Sequence, residues 1–244
     1  MRIAIISDIH GNDVALEAVL TDIQLKGVDQ VVCLGDAIQS GPQPKETLAR
    51  LQSLACPIVM GNADAWLLSG DNAITTDTTS DAQQAIRTWT FSQLSESDKV
   101  FIAGFQPTIK VYMNKSFSLL GFHGSPENFN DIILPTTPEN EFKEMLGKYS
   151  AYVCAGGHTH WQHLRRLSGS FFVNPGSVGF PYDRYLPDDK PQLDPWAEYA
   201  ILTSTLRHIS VEFCRIPFDL QEYFKVIRAS GRPYGEELIS RFSD

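Results

Sequence analysis

Six histidines occur in this chain; three of them, His10, His123 and His158, stand beside a glycine, and a fourth, His160, follows two residues after His158. They belong to short polar strings: Asp8-Ile9-His10-Gly11-Asn12, His123-Gly124 and Gly156-Gly157-His158-Thr159-His160. Two more strings of the same character are Gly35-Asp36 and Gly61-Asn62-Ala63-Asp64. Imidazole nitrogens with carboxylate and amide oxygens form a donor set for borderline divalent ions such as Mn, Fe, Zn or Ni. No thiolate accompanies them, which argues against a structural zinc site. Fragments such as Asp-x-His or Gly-Asp arise readily by chance, and Gly70-Asp71 is one with no strand before it. A Gly-His-x-His is expected on the order of 0.01 times at this composition, so it carries the weight. His163 and His208 fit ordinary structural roles.

Each string follows an apolar run that reads as a strand. Residues 2–7, 30–34 and 58–60 are such runs, and those at 117–122 and 151–155 precede the histidine-bearing turns. In extended backbone, residues i and i+2 point the same way. That spacing predicts that Asp8 with His10, and His158 with His160, converge on one spot from two strand ends. Open sheets bind ligands just beyond the carboxyl ends of their strands.

The elements between the strings are equally patterned. Asn12 or Asp13 begins a helix with Ala15, Leu16, Val19, Leu20 and Ile23 on one face, closed by Gly27. A second helix is predicted from Pro44 to Leu54, giving a βαβαβ start with parallel strands. Helices should open at Ser80-Asp81 and at Ser95. Hairpins follow over 108–122 and 161–174, then two late strands at 197–204 and 207–215, and helices near 218–230 and 235–242. Residues 180–196 hold four prolines and read as an ordered loop or lid. With 244 residues, no repeat and no low-complexity tract, the chain is expected to form one domain over 1–244.

Composition narrows the partners. A net charge of −9 is the wrong electrostatic footprint for nucleic acid. No apolar run nears the roughly 18 residues of a spanning helix, and the short run 3–6 is no export signal, so a cytoplasmic protein without membrane contact is expected. Cys33, Cys56, Cys154 and Cys214 form no CxxC pair and read as small apolar side chains in a reducing compartment.

In their order, DxH, GD, GN, HG and GHTH resemble the calcineurin-like metallophosphoesterase superfamily. With Gly41-Pro42-Gln43-Pro44 and Asn174-Pro175-Gly176-Ser177-Val178-Gly179, they look like its small prokaryotic single-domain, phosphodiesterase-like branch. The resemblance implies an α/β fold, a four-layer α-β-β-α sandwich with two mixed sheets, and a binuclear centre of divalent ions. Manganese comes first among these ions, with iron, zinc or nickel open. By position, one ion would take Asp8, His10, Asp36 and His160, and the other Asp36, Asn62, His123 and His158. The implied activity is hydrolysis of a small phosphate ester by hydroxide held between the ions. The alternative is a non-catalytic metal-binding scaffold of the same fold that binds a protein partner; the oligomeric state is left open.

Two departures shape the expected specificity. Many superfamily members follow the GN pair with a histidine that protonates the leaving group, where this chain has Ala63. Missing a general acid forfeits about 10²–10⁴ in rate for poor leaving groups, so phosphodiesters or esters with acidic leaving groups are preferred, unless Asp64 or His163 supplies the proton. Asp64 reads equally as a helix N-terminal residue. Protein-phosphatase and dinucleoside-tetraphosphatase relatives carry a phosphate-binding arginine near the GD pair, which is absent here. Arg184 is a candidate substitute, or a solvated loop residue. Asn12 is a second candidate phosphate contact, or a helix cap. Tyr182, Tyr185 and Trp196 could wall an aromatic substrate group or pack beneath the loop.

Overall fold

The computed structural model describes residues 1–69, 80–182 and 192–242. Alternation along the strands dictates its layers. Strand β1 (Arg2–Ile6) turns Ala4 and Ile6 to one face and Ile3 and Ile5 to the other, all fully buried. It pairs in parallel with β2 (Gln30–Cys33). On its other side it pairs antiparallel with β8 (Trp196–Ser204), which carries β9 (Ile209–Pro217) at the edge. The second sheet runs β3 (Ile109–Tyr112), β4 (Ser118–Gly121), β5 (Val153–Ala155), β7 (Ser170–Asn174) and β6 (His163–Leu167). In it, β4, β5 and β7 are parallel and the two edge strands antiparallel. Both sheets are therefore mixed.

Three cores fill the gaps between four layers. Ile3 and Ile5 meet Leu119, Val153 and Val173 of the second sheet. Ala4 and Ile6 face the outer helices α1 (Asp13–Lys26), α2 (Pro44–Leu54) and α7 (Leu220–Ser230) through Leu16, Val19, Leu48, Leu51 and Ile227. On the far side, Cys154 and Phe172 point outward onto Phe142 and Leu146 of α6 (Glu139–Leu146). The result is the α-β-β-α sandwich. None of the four cysteines is paired, and only Cys56 is not fully buried.

Most elements lie within two residues of their expected bounds. α1 is capped by Asn12 and closed by Gly27 in the left-handed conformation (φ 62°), and α4 (Asp81–Gln93) and α5 (Glu96–Ala103) begin at serine capping boxes. Residues 58–60 differ. Between Pro57 and the Gly61 turn there is room for one parallel bridge on each side, Cys33 with Ile58 and Val59 with Gln106, and no strand forms. Two short helices, α6 and α3 (Asn62–Leu68), were not evident from periodicity. α8 (Gly235–Ile239) ends the described chain. Among the described residues no helix is long and apolar enough to cross a membrane.

Candidate metal centre

The carboxyl ends of β1, β2, β4 and β5, with the 58–60 segment, bring one cluster of polar side chains together. The turns beyond them are tied backbone to backbone. Asp8 N–H donates to Gly35 O at 3.0 Å, His10 N–H to Asp36 O at 2.9 Å and Gly157 N–H to His123 O at 2.9 Å. Close approach demands glycine at two points: a Cβ on Gly61 would lie 2.1 Å from Asp36 Oδ1, and one on Gly157 2.6 Å from Asp8 Oδ2.

Five of the seven expected ligands adopt left-handed backbone: Asp8 (φ 53°), His10 (50°), Asp36 (49°), His158 (65°) and His160 (53°). Such residues cost of order 1–3 kcal/mol each and persist only where the surroundings over-determine them. The extended-strand argument for convergence is therefore corrected. Asp8 and His10 do meet, but through a left-handed turn. His158 and His160 do not share a spot, because the same turn sends them to different neighbours. One group gathers Asp8, His10 and His160; the other gathers Asp36, His123 and His158. In each, one candidate ligand atom per residue lies within 4.8 Å of the others.

Within the first group, His10 Nε2 and His160 Nε2 are 3.1 Å apart, and His160 Nε2 is 3.3 Å from Asp8 Oδ1. Asp36 joins the groups: its Oδ2 is 3.4 Å from His123 Nε2 and 3.8 Å from His10 Nε2. Asn62 Oδ1 is 2.9 Å from His123 Nε2.

Backbone carbonyls fix the rings. The Nδ1 atoms of His10, His123 and His160 face Gln39 O (2.9 Å), Leu34 O (2.8 Å) and Phe180 O (2.6 Å). A carbonyl only accepts, so these contacts place a proton on each Nδ1 and turn each Nε2 into the site, its lone pair available whenever the ring is neutral. Two such lone pairs facing one another at 3.1 Å repel without a cation between them. The carboxylates are oriented in the same manner. Asp8 Oδ2 accepts from Ser7 Oγ and from His158 N–H, while its buried Oδ1 makes no hydrogen bond. Asp36 Oδ1 accepts from Ala63 N–H at 2.8 Å, freeing Oδ2. An orphaned carboxylate oxygen, a shared carboxylate and outward-fixed Nδ1 atoms fit a pair of divalent cations.

The electrostatics agree. Burial works against the Asp36 carboxylate, yet His123 and His10 hold it well below the ordinary range. Asp8 is likewise lowered against burial, by His160 and His123. Burial lowers His10 and His158, whereas on His123 the Asp36 charge overcomes burial and pushes the ring up to about 10.

Residues 1–191 match the calcineurin-like phosphoesterase superfamily domain. The chain belongs to this superfamily. A metallophosphoesterase from Sphaerobacter thermophilus superposes with a TM-score of 0.76 at 27% identity, covering 99% of this chain and 97% of that one. A hypothetical protein from Pyrococcus horikoshii shares the fold with a TM-score of 0.81 at 20% identity, over 98% and 96% of the two chains. An uncharacterized protein of Methanocaldococcus jannaschii is 26% identical over 97% of each sequence.

Around this calcineurin-like centre the remaining expected site residues separate. Asn12 is fully buried, its Oδ1 accepting from Ala15 N–H and its Nδ2 donating to Gly179 O. With both ends bonded to backbone it caps α1, one of the two roles open to it from the sequence. Asp64 is fully buried too, bonded to Ala37 N–H at 3.0 Å and Gly61 N–H at 3.2 Å. It splices two ligand-bearing turns, and burial followed by the Asp36 charge pushes it up to about 7. His163 begins β6, with Nδ1 on Trp161 O and its ring 5.4 Å from Phe172, so it is placed among structural contacts. Arg184 and Tyr185 lie outside the described residues. Tyr182 sits beside the centre, its ring 5.4 Å from His160, and Phe180 stacks on His10 at 5.2 Å.

Sequence reasoning missed the carbonyl holders Leu34, Gln39 and Phe180, since any residue supplies a carbonyl. The Asn174–Gly179 string, noted in the sequence only for its resemblance, has a structural task. Asn174 Nδ2 donates to Gly157 O, Ser177 Oγ and Gly179 N–H donate to Asp8 O, and Val178 N–H donates to Ser7 O. It straps the two histidine-bearing turns together.

Proposed function

We propose that the protein is a binuclear metallophosphoesterase that hydrolyses phosphodiesters, or esters with acidic leaving groups. The observation that carries this reading is the pair of ligand groups joined through Asp36 Oδ2, with carbonyls turning the Nε2 atoms of His10 and His160 inward in one and that of His123 in the other. Asp8, His10, Asp36 and His160 would hold one divalent cation, and Asp36, Asn62, His123 and His158 the other, with manganese first in preference. When bound, such a pair supplies Lewis acidity that ionises water near neutral pH and offsets charge on phosphoryl oxygens. The chain's part is to hold eight ligand contacts from seven side chains without slack, Asp36 serving twice. Asn62 contributes a neutral oxygen, which limits the negative charge facing an anionic substrate.

Ala63 supports the diester preference. It follows Asn62 at the head of α3, has no proton to give, and spends its N–H on Asp36. Of the other acids considered, Asp64 faces backbone amides and His163 a carbonyl and a phenyl ring. Departure of the leaving group therefore relies on its own acidity. The test is Mn²⁺-supported hydrolysis across aryl and alkyl phosphodiesters of graded leaving-group acidity. A steep loss of rate toward alkyl leaving groups is expected. A flat dependence would show another general acid, and binding of two ions without any hydrolysis would return the protein to a scaffold role.

A further inference from the structure

Arg232 lies beyond the 1–191 region that defines the superfamily match, yet it reaches the centre's supporting loop. It is 9% exposed, and its guanidinium makes no ion pair with any described carboxylate. Its hydrogen bonds all go to carbonyls. Nε donates to Ser40 O at 2.5 Å, and Nη1 to Pro233 O and Tyr234 O at 2.7 and 3.0 Å. Burial lowers it to about 10, so it stays cationic at neutral pH. Burying a cation without a counter-charge is unfavourable unless its hydrogen bonds are needed.

The accepting carbonyl belongs to a strained residue next to a metal-site contact. Ser40 has φ 92°, an uncommon conformation for a residue with a Cβ. The preceding carbonyl, Gln39 O, is the acceptor that holds His10 Nδ1 at 2.9 Å. Loop 37–43 is tied to the His10 turn on both sides, by Gly11 N–H to Ala37 O and Gln43 N–H to Gly11 O. Between those ties, Arg232 fixes the 40–41 peptide through Ser40 O, and that peptide adjoins the 39–40 peptide whose carbonyl faces His10. We infer that Arg232 is a positioning residue for His10: its guanidinium pins Ser40 O, which keeps the Gln39 carbonyl facing the imidazole and the His10 Nε2 lone pair facing the centre. The C-terminal segment thus completes a site whose ligands all come from the first 160 residues. The consequence for cation binding rests on the proposed binuclear reading, whereas the effect on the His10 ring does not.

The experiment uses Arg232→Met, which keeps the stem and removes the donors, with Arg232→Lys as the second variant should the first not fold. Long-range ¹H–¹⁵N spectra of the metal-free full chain report the His10 tautomer. The wild type should show Nδ1–H alone, and the variant a mixture with Nε2–H. Calorimetric titration with Mn²⁺ should then show one of two sites weakened about 10–100-fold, as when an outer partner of a ligand histidine is lost. In a His10→Ala background the Arg232 substitution should add nothing, because the two act in series. An unchanged tautomer, equal weakening of both sites, or a full further loss in the His10→Ala background overturns the inference. Fewer than two Mn²⁺ per wild-type chain would overturn the binuclear reading instead, leaving the tautomer to decide the role of Arg232.

Discussion

Substituting Asp36 by Asn changes little in shape and much in charge. The Asn Oδ1 can still accept from Ala63 N–H, while an amide NH₂ replaces the Oδ2 that faces His123 Nε2 at 3.4 Å and His10 Nε2 at 3.8 Å. With metal removed, wild-type Asp36 holds His123 protonated to about pH 10 against an ordinary value of 6.5. A ring whose folded value is raised contributes stability that is complete below pH 6.5 and is lost as the pH climbs through 10. Asp36 is shifted the other way, so its share is present above the ordinary carboxylate range and lost on acidification. Linkage through the His123 ring then varies from on the order of 4 kcal/mol at pH 7 to about 1 kcal/mol at pH 9, while the Asp36 share does not change over that interval. In the variant His123 escapes an unpaired charge by releasing its proton, which caps the loss, so the protein stays folded within the usual 5–15 kcal/mol margin. Urea melts of chelator-treated protein at pH 7 and pH 9 should show that difference shrinking, and ion loading should fall from two per chain to at most one with hydrolysis abolished. A variant that binds two ions and turns over at the wild-type rate, or a stability gap that widens from pH 7 to 9, refutes the bridging role.

Three further outcomes are expected. Ala63→His places an imidazole where a proton donor is missing, and should raise the rate on alkyl diesters by up to about 10² while barely changing acidic aryl esters; competition kinetics across the series reads this. Asn12→Ala should cost about 1 kcal/mol in a urea melt, as a lost N-cap does, with KM unchanged; a KM increase would restore Asn12 as a substrate contact. Asp64→Asn leaves a buried amide short of an acceptor and should cost about 1–3 kcal/mol at pH 4. Because Asp64 is raised to about 7, the wild type loses its contribution as the pH rises from 4 through 7, so that gap should narrow in melts across the range. The leaving-group dependence of Asp64→Asn should match the wild type, since Asp64 acts through backbone amides.

The donor chemistry was legible in the sequence because it rests on residue identity. Histidine and aspartate beside glycine at several strand ends leave few other uses for those side chains. Layering was legible for the same reason: Ile3 and Ile5 against Ala4 and Ile6 is a period-two pattern that needs a core on both faces. The path of the backbone through the site was not. Left-handed conformations at Asp8, His10, Asp36, His158 and His160 have no local signature, since each residue alone prefers another region. They are imposed by contacts distant in sequence, such as His10 N–H on Asp36 O and Ser177 Oγ on Asp8 O. This is why i, i+2 reasoning joined His158 to His160 when the fold separates them.

A candidate metal site under such strain sets a requirement on everything around it. The unfavourable backbone of five ligands has to be offset by hydrogen bonds that exist only in the folded chain, and the structure supplies them from several separate segments: the 34–40 turn, the 174–180 strap and, through Ser40, Arg232. Carbonyls that accept from Nδ1 also decide which nitrogen of each neutral imidazole is available, so the fold selects Nε2 as the one that faces the site. Backbone strain and tautomer choice are thus two results of the same contacts. Changing a carbonyl's orientation at Gln39 or Phe180 should therefore impair cation binding as surely as replacing the histidine it holds.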